Sequence, residues 1–207
     1  MKQTDMTCAA FSEALASKAP SPGGGGAAAL CGAFACALGR MVSALSSGKK
    51  ACEANREEIE KISARLEELR IRLIALVDED EAGFLPLSAA WAMEKNDPER
   101  EGAVARALLL ACDAPMNMMK ALAECAELLG RLAPVCSPIM ISDAGAGAAL
   151  CAGAMRAAAL NVFVNAGLMK DKQAAETLTK QADALLLSAT GADGTFGFVR
   201  TKLEKRN

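Results

Sequence analysis

The chain has 207 residues, 52% of them apolar and 23% charged, which is enough for one well-buried domain and short for two. It contains no histidine, so Ser-His-Asp and Cys-His catalysis, His-ligated metals and imidazole proton shuttling are excluded. Acid–base chemistry must fall to Asp, Glu, Lys or Cys. A formal charge of −2 with 3% aromatic residues gives phosphate backbones no general attraction and bases little to stack on, so no nucleic-acid partner is expected.

Tyrosine is absent, while Ala, Leu and Met are abundant, a composition of helix formers short of strand formers. The expected fold is all-α: a single-domain helical bundle over residues 1–207, with long kinked helices and two small-residue central helices. A short amphipathic helix around Phe11 and Leu15 should end near Lys18, before the breaker run Pro20-Ser21-Pro22-Gly23-Gly24-Gly25-Gly26. A second helix should span Ala27 to Ser47, with Gly48 as its stop. Its small residues Ala28, Gly32, Cys36 and Gly39 permit close approach from several sides, which argues for a central, buried position.

From Lys50 a long helix should carry charged residues outward and a stripe of Ile59, Ile62, Leu66, Leu69 and Leu73 inward, until Pro86 kinks or ends it. Asp97 and Pro98 should restart a helix as cap and first residue, with a bend at Pro115. Gly130 to Ile141 reads as a loop and Ser142 as the N-cap of a helix over Asp143 to Val164. A last helix should run from about Asp171 to Ala189, followed by a loose glycine-containing tail.

The eight cysteines form no C-x-x-C pair and lie mostly in apolar helical runs, as small core residues would. The N-terminus has no apolar signal region, so a reduced, cytoplasmic protein is expected. The small-apolar stretches ending at Arg40 and Arg156 fall short of the roughly 20 residues of a bilayer span, so no membrane segment is expected.

Three features stand above this background. The glycine run ahead of a helix can present backbone N–H groups to an anion or a ring carbonyl, or it can be a tight turn; it matches neither the dinucleotide nor the P-loop pattern. Asp78 and Asp80 lie where the long helix passes from charged to apolar surroundings, so one carboxylate can be pushed inward; the alternative is an exposed acidic turn. Asn161 and Asn165, four apart on one helix face, offer paired amides that need partners.

As an ordered set, Leu15-Ala16-Ser17-Lys18-x-Pro20-x-Pro22-Gly23-Gly24-Gly25, Gly48-Lys49-Lys50, Asp78-x-Asp80-x-x-x-Phe84, Ile141-Ser142-Asp143-Ala144-Gly145 and Asn161-Val162-x-x-Asn165 resemble the cyclodeaminase/cyclohydrolase family of tetrahydrofolate one-carbon enzymes. The resemblance spans about residues 7 to 170. It implies a helical homodimer that takes a folate derivative as substrate, with no metal and no cofactor beyond the tetrahydrofolate itself. It implies methenyltetrahydrofolate cyclohydrolase or formimidoyltetrahydrofolate cyclodeaminase activity. Asp143 and Asp80 are then the expected acid/base pair with Asp78 in support. Pro22, Gly23, Gly24, Gly25, Ser142, Asn161 and Asn165 are expected to hold the ligand, and Lys49 and Lys50 to meet its glutamate tail. The competing readings are a non-catalytic folate-binding or scaffolding helical dimer and, more remotely, a thiol-redox protein.

Overall fold

The structure, a computed structural model, describes residues 2–205. Among these residues there is no strand. The six α-helices are α1 (Cys8–Leu15), α2 (Gly24–Ser46), α3 (Arg56–Ala92), α4 (Arg100–Leu132), α5 (Ile141–Leu168) and α6 (Lys172–Glu204), with short 3₁₀ turns at Gln3–Asp5, Lys50–Asn55 and Pro138–Met140. The all-α fold follows the composition.

Helices α2 to α5 form an up-down-up-down four-helix arrangement, and α6 packs over the seam of α4 and α5. The antiparallel order is visible along each seam. Gly25 of α2 meets Asp80 of α3 at one end, and Gly39 meets Leu66 towards the other. Arg65 of α3 meets Glu124 of α4, and Arg156 of α5 meets Asp193 of α6.

Small residues on α2 let large ones enter. A Cβ on Gly32 would fall 2.7 Å from Leu122 and 3.3 Å from Leu73; on Gly39 it would fall 2.7 Å from both Leu129 and Leu66. These glycines are seven residues apart, and so are the leucines of α3 and α4 that fill them. Each step is therefore one layer of a bundle with heptad-like spacing. Six cysteines, Cys36, Cys52, Cys112, Cys125, Cys136 and Cys151, are buried as free thiols. Burial pushes the Cys112 and Cys136 thiols up to about 11, so they stay protonated in the core.

Several boundaries differ from expectation for identifiable reasons. Helix α2 begins inside the glycine run, at Gly24. The long helix begins at Arg56, after a 3₁₀ turn. Asp97 accepts the Glu99 N–H at 2.8 Å and so closes the turn before α4, leaving Pro98 outside the helix. Ser142 is the second residue of α5 and not its cap. Pro86 is inside α3, where it and Ala82, whose carbonyl loses its donor, are both exposed to water. The glycine-containing tail is helical as far as Glu204, because Ala189, Ala192, Thr195 and Val199 are buried by packing that outweighs the low helix propensity of glycine.

Arg40 and Arg156 also do not end their helices; they pair with Glu67 and Asp193. The chain thus has two helical segments, Gly24–Ser46 and Pro138–Leu168, long and apolar enough by length and composition to cross a membrane, with half of each apolar window buried within the fold. Helix α2 is not enclosed on all sides: α6 covers the α4/α5 side of the bundle, and Phe34, Met41 and Leu45 of α2 are exposed.

Candidate active site

The leucine stripe of α3 runs Ile59, Leu66, Leu73 and Leu87 at seven-residue steps, all buried. Asp80 occupies the step between Leu73 and Leu87. In the same layer α2 contributes Gly25, α4 contributes Pro115 and α5 contributes Asn161, and all four line one cavity of about 200 Å³. Where the next layers pair leucines of α3 and α4, this layer has a carboxylate and a proline, beside the continuing glycine of α2 and an amide from α5. The apolar core breaks there, into a main cluster and a smaller one around Leu87, Leu108, Cys112 and Met169.

Gly25 is required by the closeness of α3: a Cβ at this position would overlap the Asp80 carboxylate. None of residues 23–26 has a positive φ, and Gly48 is the one glycine among the described residues that does, so the run serves close approach and not a left-handed turn. The gain is a hydrogen bond from the Gly26 N–H to Asp80. Gly23, the N-cap of α2, supplies no side-chain cap, and a carboxylate from the neighbouring helix takes one of the orphan donors instead. Among the described residues the Gly24 and Gly25 N–H groups have no acceptor, and both residues line the cavity, where these groups can meet a ligand oxygen.

Burial raises the Asp80 carboxyl from 3.8 to about 6, against the opposing pull of the Gly26 N–H. Desolvation outweighs the helix terminus because the surrounding stripe is leucine, glycine and proline. Asp80 therefore exchanges a proton close to neutral pH.

Proline and asparagine in this layer are coupled. Pro115 lacks the N–H that would bond the Ala111 carbonyl four residues earlier. Asn165 Nδ2 of α5 donates to that carbonyl at 3.0 Å, which fixes its amide and leaves Oδ1 free. Asn161 Nδ2 donates to Ala157 O at 2.9 Å, so its Oδ1 is the group left for a ligand. At the mouth, Phe84 and Trp91 pack edge to face with centroids 6.2 Å apart. Both line the cavity together with Glu81, Val164 and Leu168.

The structure thus brings together Gly23, Gly24, Gly25, Asp80, Asn161 and Asn165. Pro22 is buried just behind, in the turn between cavity-lining Ser21 and Gly23. Asp78 points elsewhere: it accepts from Thr4 N at 3.3 Å and Thr4 Oγ1 at 2.8 Å, tying the N-terminal segment to α3. Ser142 and Asp143 occupy the first turn of α5, about 27 Å along that helix from Asn161. Lys49 and Lys50 follow the far end of α2 and are exposed, about 35 Å from Gly24. Within one chain, then, the expected pairing of Asp143 with Asp80 is not formed, and the lysine pair does not approach the cavity, because antiparallel α2 and α5 carry these residues to the opposite end. Glu81, Pro115 and Trp91 are cavity residues that the motifs did not point to. The signal for Trp91 was its seven-residue spacing from Phe84.

Two outcomes follow from this geometry. Gly25→Ala is expected to displace Asp80 and lower ligand affinity, whereas Gly24→Ala, whose Cβ would meet nothing nearer than Asn161 at 3.8 Å, is tolerated; equal effects in a binding titration would contradict the close-approach role. Asp80, raised in the folded state, holds its proton more tightly folded than unfolded. Stability is therefore full below about pH 4 and falls as pH rises towards about 6. Asp80→Asn is expected to stabilise the fold at pH 7.5 by on the order of 1–3 kcal/mol, with the gain vanishing near pH 4 in thermal unfolding.

Comparison with known proteins adds the family to this geometry. Residues 7–184 match the profile of the formiminotransferase-cyclodeaminase family. A methenyltetrahydrofolate cyclohydrolase from Methylorubrum extorquens is 35% identical over 187 residues, 88% of this chain and 90% of that protein. A formimidoyltransferase-cyclodeaminase from Dictyostelium discoideum is 32% identical over 89% of this chain, which spans 34% of that longer protein. The crystal structure of a formiminotetrahydrofolate cyclodeaminase from Thermotoga maritima superposes with a TM-score of 0.83 at 28% identity, covering 97% of each chain. With its profile match over most of its length and a relative of similar size at this identity, the chain belongs to the formiminotransferase-cyclodeaminase family.

Proposed function

We propose that this protein is a tetrahydrofolate one-carbon enzyme, a methenyltetrahydrofolate cyclohydrolase with Asp80 as its proton-transfer group and counter-charge. The observation that carries the reading is a carboxyl raised to about 6 on a cavity with free backbone donors and aromatic rings at its mouth. The relative of similar length named as a cyclohydrolase supports it. The substrate carries a cationic carbon bridging N5 and N10. Water adds to that carbon and gives one proton to the Asp80 carboxylate; as the C–N5 bond breaks, the remaining hydroxyl proton is lost and N5 takes one up. The product is 10-formyltetrahydrofolate, and one proton is released overall.

Asp80 contributes twice, as base and as the negative charge facing the cation in a water-poor site. The Gly24 and Gly25 N–H groups and the amide oxygens of Asn161 and Asn165 are suited to the polar edges of the ring system. The whole-length likeness to a formiminotetrahydrofolate cyclodeaminase supports a second reading, in which N10 attacks a formimino carbon and ammonia leaves. The same carboxyl serves those proton transfers. We place the protein in the cytoplasm, with no cofactor beyond the folate.

We also propose a homodimer through α2. Phe34, Met41 and Leu45 lie exposed along one face of this helix, an apolar surface of the kind that isologous interfaces cover.

The activity is tested by the loss of methenyltetrahydrofolate absorbance with purified protein, run beside formimidoyltetrahydrofolate; turnover of the second alone would transfer the assignment to the cyclodeaminase. Asp80→Asn is expected to lower turnover by roughly 10² to 10⁴. In the wild type, kcat/KM is expected to rise with pH through about 6 as Asp80 ionises. Asp143→Asn should leave that acid limb in place, while Asp80→Asn removes it. For the dimer, light scattering at micromolar protein is expected to give twice the chain mass, and Met41→Glu to halve it; a wild-type monomer would contradict the proposal.

A further inference from the structure

A second cavity of about 450 Å³ adjoins the first and shares Leu168 with it. It is lined by buried Leu108, half-buried Val104 and exposed Leu168, together with Lys95, Arg100 and Lys170 beside Asp97 and Glu101. The cations there are not matched by acids. Arg100 donates Nε to Met93 O at 3.2 Å and Nη2 to Trp91 O at 3.4 Å and has no carboxylate partner among the described residues. Among the described residues Lys95 has neither an ion-pair partner nor a hydrogen-bond partner. Lys170 is bridged to Glu101 at 2.6 Å, and Asp97 has Oδ1 engaged by the Glu99 N–H.

A groove with apolar lining residues and unmatched cations fits an organic anion on a hydrophobic stem. The first cavity, at about 200 Å³, is below the roughly 300 Å³ at which pockets enclose a whole drug-sized ligand, so a folate placed there must extend beyond it. Trp91 and Leu168 stand at its edge. Arg100, which lines the second cavity, holds the carbonyl of Trp91, which lines the first, and Leu168 lines both. An aryl stem lying against Trp91 and Leu168 carries its terminal carboxylates over Lys95 and Arg100.

We propose that this groove is the carboxylate subsite for the glutamate arm of the substrate, with Arg100 and Lys95 as its counter-charges. The inference rests on the folate reading above. It gives the glutamate arm a site at the same end of the bundle as Asp80, which Lys49 and Lys50 do not provide.

The test compares methenyltetrahydrofolate with methenyltetrahydropteroate, the same molecule without glutamate. In the wild type, KM for the pteroate form is expected to be several-fold higher, a difference that narrows as salt is raised. Lys95 is exposed and has no ion pair or hydrogen bond among the described residues, so Lys95→Glu is expected to fold normally. It should raise KM for the glutamate form by about fivefold with kcat unchanged, and leave KM for the pteroate form alone. Arg100→Gln should shift KM in the same direction. Equal KM values for the two substrates in the wild type, or a Lys95→Glu effect equal on both, would overturn the subsite. Turnover of neither substrate would remove the cyclohydrolase reading, and quenching of Trp91, the single tryptophan, then reads binding directly. Tighter binding of the glutamate form that Lys95→Glu abolishes retains the subsite, and equal binding removes it.

Discussion

The contact between Gly25 and Asp80 is the constraint on which the site depends. A carboxylate at a bundle position that elsewhere holds leucine is destabilising unless the desolvated group finds a donor. The donor is the Gly26 N–H at the N-terminus of α2, and the carboxylate reaches it because Gly25 has no side chain. The same approach distance governs the rest of α2, where Gly32 and Gly39 admit Leu73, Leu122, Leu66 and Leu129. The site is thus one turn of a repeating packing scheme in which the entering group is charged.

This placement explains how the cavity and the fold coexist. In the Asp80 layer α3 and α4 carry a carboxylate and a proline where the next layers carry leucines, and α2 keeps the glycine it also has at Gly32 and Gly39, so volume is lost without any long loop or insertion. The backbone defect that Pro115 introduces would leave the Ala111 carbonyl unpaired, and Asn165 closes it from α5. Asn165 is therefore both a brace between α4 and α5 and a wall of the cavity. Because its Nδ2 is committed to the brace, Oδ1 remains to face a ligand.

Much of the fold was legible because apolar spacing and composition reported the helices directly; the stripe of Ile59, Leu66 and Leu73 is an example. The candidate site was legible in part. Asp80 and the glycine run stood out as residue types at odds with their surroundings, and a carboxylate continuing a leucine heptad is the physical form of that conflict. Residues whose meaning depends on how the helices are arranged were harder to read. Ser142 looks like a cap in sequence, yet the preceding 3₁₀ turn lets α5 start two residues earlier than expected, at Ile141. Asp143 and the Lys49–Lys50 pair look like site residues, yet within one chain the antiparallel order of α2 and α5 places them at the far end. The helical tail was missed for a similar reason: three glycines argue against a helix locally, while burial of Ala192, Thr195 and Val199 against the bundle decides the matter.

The raised proton affinity of Asp80 ties binding to chemistry. An apolar surrounding disfavours its ionised form, and a cationic ligand placed beside it favours that form, so the two equilibria are linked and each must shift the other by the same factor. On the proposed reading, a cationic one-carbon bridge entering the cavity would draw the carboxyl towards ionisation and thereby create the base that receives the proton of the attacking water. Once the ring opens and the positive charge is gone, the counter-charge loses its partner, and burial again favours the protonated acid. A group poised near neutrality by desolvation can take up and release its proton as the charge of its ligand changes, which a carboxylate held far below neutrality by a fixed arginine or lysine could not do.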